Sequence, residues 1–182
     1  MSILTSGLGL WYFGHFFKRL APGLRGRIGD AGKGVAAVVI LAGLILIVIG
    51  YRNVDTVWMY EPPTWGRPVN NLLMLVSVFL FGLGSSKSPL RRWLRHPMLM
   101  GMLIWAVAHL LVNGDLASIV LFGALGIWTI FEMTIINQVD TEWHPPEGGT
   151  AAGTVRLLVI TVVVYAVISG IHIALGYNPF VG

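Results

Sequence analysis

Long apolar runs separated by short polar segments cover the chain from one end to the other. A transmembrane helix needs about 20 mostly apolar residues, and these runs approach or reach that length. The pattern predicts transmembrane helices at residues 3–17, 34–50, 71–84, 97–112, 116–136 and 154–176. Only Asn113, Gly114 and Asp115 separate the fourth run from the fifth, so these two helices are expected to form an antiparallel hairpin.

The composition agrees with this pattern. The 182 residues are 55% hydrophobic and only 11% charged, whereas soluble domains carry about 25% charged residues. The chain is therefore expected to form a single all-α domain over residues 1–182, an integral membrane bundle of about six transmembrane helices in contact with membrane lipid. The absence of cysteine excludes disulfides, thiolate metal ligands, iron–sulfur clusters and covalently attached haem.

The basic residues predict an orientation. Of the 12 lysine and arginine residues, all except Arg52 and Arg67 fall on one side of a six-span topology. The positive-inside rule places that side in the cytoplasm, with both termini outside it and the protein in the cell inner membrane. The net charge of +4 gives no indication of nucleic-acid binding, because the basic residues lie in loops and form no stripe.

Three histidines lie inside predicted spans: His15, His109 and His172. In a chain without cysteine, imidazoles are the natural ligands for a metal ion or a haem iron. The alternative is that each is a hydrogen-bonded packing residue, since a single histidine in a helix bundle has no necessary chemical role. Three in one small bundle favour a shared function.

Depth in the membrane favours one pairing of these histidines. His109 lies four residues before Asn113 and His172 four residues before Gly176, so each is about 6 Å from the same boundary at 1.5 Å per residue. His15 lies three residues before Lys18, close to the opposite boundary. For His15 to pair with His109, the first helix must extend to include Arg19.

Arg19 follows His15 by four residues and so shares its helix face. If the helix extends this far, the guanidinium needs a buried partner, for which a haem propionate is suitable. Otherwise Arg19 reaches to the membrane interface with its charged end in water.

Two further polar features stand near the central hairpin. Arg95, His96 and Pro97 precede the fourth span, where they form either a basic helix start or an anion-binding site at a helix N-terminus. Glu132 lies inside the fifth span, where it is either hydrogen-bonded to a neighbouring helix or a carboxylate that handles protons.

Several segments resemble the NnrU family of membrane proteins. These are G-H-F-F-K-R-L-A-P-G-L-R at 14–25, R-H-P-M-L-M-G-M-L-I-W-A-V-A-H-L-L-V-N-G-D-L-A-S-I-V-L-F-G at 95–123, and G-I-H-I-A-L-G-Y-N-P at 170–179. The family is named from denitrification gene clusters. The resemblance therefore implies a membrane protein linked to nitrite and nitric oxide metabolism.

NnrU proteins are similar in turn to the 15-cis-zeta-carotene isomerase, which binds haem b. That similarity implies His15 and His109 as axial ligands, with His172 as a third ligand or a nearby group, and a redox or isomerase-like role on a small or lipophilic substrate. The isomerase has a cysteine where this chain has Ala106. The implied ligand pair also differs from the pair that depth favours.

The R-H-P segment also resembles integral membrane methyltransferases such as isoprenylcysteine carboxyl methyltransferase. By that resemblance Arg95, His96 and Glu132 would bind S-adenosylmethionine. Those enzymes carry a Glu-Glu pair after the motif, where this chain has only Asp140 and Glu142. A third alternative is a non-catalytic membrane assembly factor that binds neither cofactor and acts through a protein partner.

Overall fold

The computed structural model describes residues 1–29 and 31–181. The side chains of Lys18 and Arg25, which contribute to the basic side of the predicted topology, lie outside the described residues. Within the described residues the chain forms seven α-helices and one short 3-10 helix. They are α1 (Ser2–Leu20), α2 (Pro22–Ile28), α3 (Ala31–Arg52), α4 (Gly66–Leu83), the 3-10 helix (Pro89–Trp93), α5 (Pro97–Leu110), α6 (Leu116–Val139) and α7 (Ala151–Ala174).

The all-α membrane bundle is confirmed. Helices α1 and α3 to α7 correspond to the six predicted runs, and four of them, α3, α4, α6 and α7, are long and apolar enough to cross a membrane. Helix α5 has 14 residues, which is about 21 Å at 1.5 Å per residue and shorter than a hydrocarbon core of about 30 Å. The predicted count of six spans is therefore approximate.

Two short elements have local causes. Pro22 favours an extended Ala21 before it (φ −131°) and occupies the first position of α2, so it ends α1 and begins a second helix. Ser88 caps the 3-10 helix by accepting a hydrogen bond from Leu90 N at 3.2 Å, with Pro89 next to it. Arg91 and Arg92 lie in this 3-10 helix, so it is both short and basic.

Close backbone contact joins α1 to α3. A Cβ atom added at Gly7 would lie 2.6 Å from Ile47 N, and one at Gly43 would lie 2.9 Å from Trp11 N. Only glycine permits two membrane helices to approach this closely. Helix α6 then packs against both α1 and α5, and one buried cluster contains residues of all three, among them Leu8, Ala106, Phe122 and Leu125.

Loops close the two ends of this bundle. At one end, the segment between α3 and α4 lies across the α5–α6 hairpin, with Met59 N donating to Gly114 O and Leu116 N donating to Val57 O, both at 2.8 Å. At the other end, Thr150 N donates to Lys87 O at 2.9 Å and joins the start of α7 to the segment after α4.

Candidate functional site

The segments Trp11–His15 and Trp105–His109 form the same local structure on two different helices. His15 Nδ1 lies 2.8 Å from Trp11 O, and His109 Nδ1 lies 2.8 Å from Trp105 O. A carbonyl oxygen only accepts, so in each imidazole Nδ1 carries the hydrogen and donates it. The neutral ring then presents the lone pair of Nε2, which is the arrangement that metal-ligating histidines adopt.

Aromatic rings fix the orientation of both imidazoles. The ring centroids of Trp11 and His15 are 4.3 Å apart, and those of Trp105 and His109 are 4.8 Å apart. These contacts join residues four positions apart, which lie on one face of a helix. Each histidine therefore makes this hydrogen bond and its first ring contact within its own helix.

Helix α6 provides the second ring contact for each histidine. The Trp128 ring lies 4.7 Å from the His15 ring in an edge-on arrangement, and the Phe122 ring lies 4.6 Å from the His109 ring with an interplanar angle of 25°. Positions 122 and 128 are about 9 Å apart along a helix axis at 1.5 Å per residue. The two imidazoles thus contact α6 at two levels, and among the described residues their rings make no contact with each other.

His172 follows the same local rule on α7. Its Nδ1 donates to Ile168 O at 2.8 Å, and its side chain is exposed. His109 and His172 are the pair that depth in the membrane favours. Across the part of the chain that the structure describes, no three histidine, aspartate or glutamate side chains form a group that could hold a metal ion. The three histidines therefore do not form one ligand cluster here.

Arg19 lies within α1 and forms an ion pair with Glu132 of α6. Helix α1 thus extends as far as a pairing of His15 with His109 requires. Glu132 is 4% exposed, so its carboxylate is held inside the bundle. Arg19 and Glu132 each stand out in the sequence, but their pairing does not follow from it, because their contact depends on how α1 and α6 pack.

The α1–α6 contact repeats about once per helical turn, at intervals of three and four residues on α1 and of four residues on α6. Tyr12 donates to Ala124 O at 2.5 Å, His15 contacts Trp128, and Arg19 pairs with Glu132. Because α1 and α6 run in the same direction, residues four apart on one helix face residues four apart on the other. We call the residues Trp11, His15, Arg19, Trp128 and Glu132 the polar seam.

The polar seam contains buried hydrogen-bonding groups that its own residues leave unused. Trp11 Nε1, Trp128 Nε1 and Glu132 Oε2 are buried and have no hydrogen-bond partner among the described residues. Buried polar groups in proteins are nearly always paired, because an unpaired one loses its hydration without compensation. These three atoms therefore provide two donors and one acceptor for a polar group brought into the seam.

Arg95 and His96 lie at the C-terminal end of α6, beyond Glu132. Arg95 donates to the backbone oxygen of Asp140, and His96 Nε2 lies 2.9 Å from Asn137 Oδ1. Glu132 instead pairs with Arg19. The three residues matched to the methyltransferase motif therefore belong to two separate contacts.

The comparisons with known proteins gave one result. The family model described as "NnrU protein" matches residues 3–179 of the 182-residue chain. No curated protein and no solved structure matches.

Proposed function

The chain belongs to the NnrU family, and on this basis we propose that it is a membrane protein that binds haem b through His15 and His109. Its role in this proposal is redox or isomerase-like chemistry on a small or lipophilic substrate, linked to nitrite and nitric oxide metabolism. The helices α3, α4, α6 and α7 are long and apolar enough to place it in a membrane.

One observation carries the haem proposal: two half-buried imidazoles on different helices share the same hydrogen-bond arrangement. In each, Nδ1 donates to the carbonyl four residues earlier at 2.8 Å, which leaves Nε2 free to bind iron. His15 and His109 would hold a haem iron through Nε2 without a third protein ligand. The donor set of His15 and His109 therefore fits this group.

The polar seam adds donors that suit the carboxylates of haem. An arginine side chain has five N–H donors, and the contact of Arg19 with Glu132 uses its Nη1. The indole N–H groups of Trp11 and Trp128 have no acceptor in the described part of the structure. A propionate at this end of the site would accept from Arg19 and from one indole, which supports the cofactor assignment of Arg19.

Haem b, when bound, supplies an iron that gains and loses one electron, and the protein controls its ligation and surroundings. The Nδ1–H bonds of His15 and His109 hold both rings in the ligating tautomer. Phe122 stacks on His109 and is 5% exposed, and Ala106 is 1% exposed, so this side of the site excludes water.

We further propose that the protein lies in the cytoplasmic membrane with both termini outside the cytoplasm, since its basic loops then lie inside. The chain contains no cysteine, so a single cysteine at Ser2 or at Ser86 provides a unique label. A membrane-impermeant maleimide should label the first variant in whole cells and leave the second unlabelled. Labelling of the second variant and not the first would show the opposite orientation, with both termini in the cytoplasm.

The haem proposal is tested by absorption spectroscopy of the protein purified in mild detergent, oxidised and then reduced with dithionite, with a pyridine haemochrome assay. The expected result is a b-type spectrum that is lost in both His15→Ala and His109→Ala. His144→Ala is the matched control, because His144 lies in the exposed loop between α6 and α7. Haem retained in both test variants would refute the assignment.

Two other outcomes separate the alternatives. If His172→Ala and His109→Ala lose haem while His15→Ala keeps it, the ligand pair is the one that depth favours. If the wild-type protein carries no haem after expression with ample haem supply, the proposal fails. S-adenosylmethionine binding that is weakened by Arg95→Ala would then indicate a methyltransferase, and copurification with a protein partner would indicate an assembly factor.

A further inference from the structure

A groove runs between α4 and α7, and none of the residues that line it belongs to the polar seam. Its apolar part is a cavity of about 180 Å³, and its polar part is a cavity of about 490 Å³. The apolar part is lined by Val78, Phe81, Leu157, Thr161, Val164 and Ile168. Both parts share Gly82, Leu157 and Ile160, so they form one continuous groove.

The polar part lies at the end where α4 finishes and α7 begins. Lys87 and Arg156 line it together with the hydroxyl-bearing residues Ser85, Ser86 and Thr150. From Arg156 to Ile168 the chain advances 12 positions, about 18 Å along a helix, which is close to half of a hydrocarbon core of about 30 Å. The groove therefore extends from a membrane boundary through about one leaflet, with its charged part at the boundary.

The two cations of the groove have no anionic partner within the described chain. Lys87 and Arg156 form no ion pair with any described carboxylate, and the ion pair found in the described residues joins Arg19 to Glu132. Arg156 is exposed and is the sixth residue of α7, a helix that is long and apolar enough to span the membrane. A cation at this position in a membrane helix normally pairs with an anion or reaches to the interface.

The start of α7 adds to this positive potential. Thr150 caps the helix by accepting from Gly153 N at 3.0 Å, so the positive end of the helix dipole lies at the polar part of the groove. Gly82 bears no side chain, and a Cβ atom added there would lie 2.8 Å from Leu157 Cδ1. Glycine at this position lets the buried Leu157 side chain pack directly against α4 where the polar and apolar parts meet.

We propose that this groove binds one anionic phospholipid, with its phosphate between Lys87 and Arg156 and an acyl chain along the apolar part between α4 and α7. The charge of the polar part selects the anion. The apolar lining and its length select a lipid over a free phosphate ion. The site is independent of haem, so it stands or falls separately from the proposed function.

The test is native mass spectrometry of the full-length protein in detergent, titrated with phosphatidylglycerol or with phosphatidylcholine of the same acyl chains. Wild-type protein should bind one phosphatidylglycerol more tightly than phosphatidylcholine. The Lys87→Gln/Arg156→Gln variant should bind phosphatidylglycerol about thirtyfold more weakly, since each basic residue near a membrane surface strengthens the binding of an anionic lipid about five- to sixfold. The Arg27→Gln/Arg92→Gln variant removes the same charge from the same side of the protein and should bind as wild type does.

A second pair of variants tests the apolar part and does not depend on the charged residues. Ile160 borders both cavities, whereas Val163 is an exposed residue of α7 outside them. Ile160→Trp should block the groove and reduce phosphatidylglycerol binding at least tenfold, while Val163→Trp should leave it unchanged. This pair also decides the matter if the double glutamine variant fails to fold.

Three results would overturn the proposal. The first is equal binding of phosphatidylglycerol and phosphatidylcholine. The second is an equal loss of phosphatidylglycerol in the Arg27→Gln/Arg92→Gln control. The third is full competition by inorganic phosphate at the concentration of the lipid, since that would assign the site to a soluble anion.

Discussion

The Trp11–His15 and Trp105–His109 segments share their local structure but differ in what α6 places against them. Trp128 contacts His15, and one turn further Glu132 pairs with Arg19. Phe122 contacts His109, and its remaining ring contacts are with Trp105 at 4.9 Å and Tyr51 at 6.4 Å. The first environment holds charge and unpaired donors, and the second is aromatic and closed.

This difference between the two histidine environments shows that each has two origins, the histidine's own helix and the helix packed against it. The Nδ1–H bond to the carbonyl four residues earlier comes from the helix itself, so it is the same in both segments and also in His172. The polarity around each imidazole comes from the neighbouring helix. If His15 and His109 held a haem, its carboxylates would find hydrogen-bond donors in the polar seam and none in the aromatic surroundings of Phe122, and desolvated carboxylates need donors.

The largest stability effect should follow from removing the aromatic side chain behind His109. Phe122 is 5% exposed, and Phe122→Ala removes its three ring contacts and leaves a cavity. We expect a loss of about 3 kcal/mol in the free energy of unfolding, measured by thermal unfolding in detergent. Phe131→Ala is the control, because Phe131 lies on the same helix and is 53% exposed. Equal losses in the two variants would show that Phe122 has no special packing role.

The next largest effect should come from the ion pair of the polar seam. Arg19→Met leaves the carboxylate of Glu132 buried without its cation, which should lower the free energy of unfolding by about 2 kcal/mol. This is less than the loss expected for a fully buried ion pair, because Arg19 is partly exposed and keeps some hydration. Adding Glu132→Gln removes the unpaired charge, so the double variant should be more stable than Arg19→Met alone. The same thermal measurement checks this, with Arg27→Met as an exposed control. A double variant whose loss equals the sum of the single losses would contradict the pairing.

The fold was largely predictable because hydrophobic runs report helices directly. The six runs appear as α1 and α3 to α7, and the hairpin turn at Asn113–Asp115 is present. Helix α5 begins at Pro97 as predicted, because Pro97 favours extended backbone at His96, where φ is −125°, and it ends at Leu110, two residues before the predicted end. The short α2 was not predicted, since Pro22 can end one helix or begin another.

The site was predictable only in part. The W-x-x-x-H spacing indicates that each tryptophan lies on the face of its histidine, and both ring contacts are present. The residues that α6 contributes were not predictable, because they depend on the register of α1 against α6. The same register pairs Arg19 with Glu132. The sequence hints at this pairing only through spacing: Trp128 and Glu132 are four residues apart, as are His15 and Arg19.

The smallest effect, and the sharpest comparison of the two regions, comes from replacing one tryptophan in each with phenylalanine. Trp128 is 5% exposed and Trp105 is only partly buried, so loss of packing alone would make Trp128→Phe the more damaging change. Trp128 Nε1, however, is a buried donor without a hydrogen-bond partner among the described residues. Trp105 Nε1 is not a buried donor of this kind.

Burying an unpaired donor costs about 1–3 kcal/mol, which is close to what the lost packing contributes. In haem-free protein we therefore expect Trp128→Phe to change the free energy of unfolding by less than about 1 kcal/mol, and Trp105→Phe to be the more destabilising change, by about 1–2 kcal/mol. Thermal unfolding of both variants in one detergent checks this order. The opposite order would mean that the indole of Trp128 is already satisfied without a ligand, and the polar seam would then hold no spare donor there for a carboxylate.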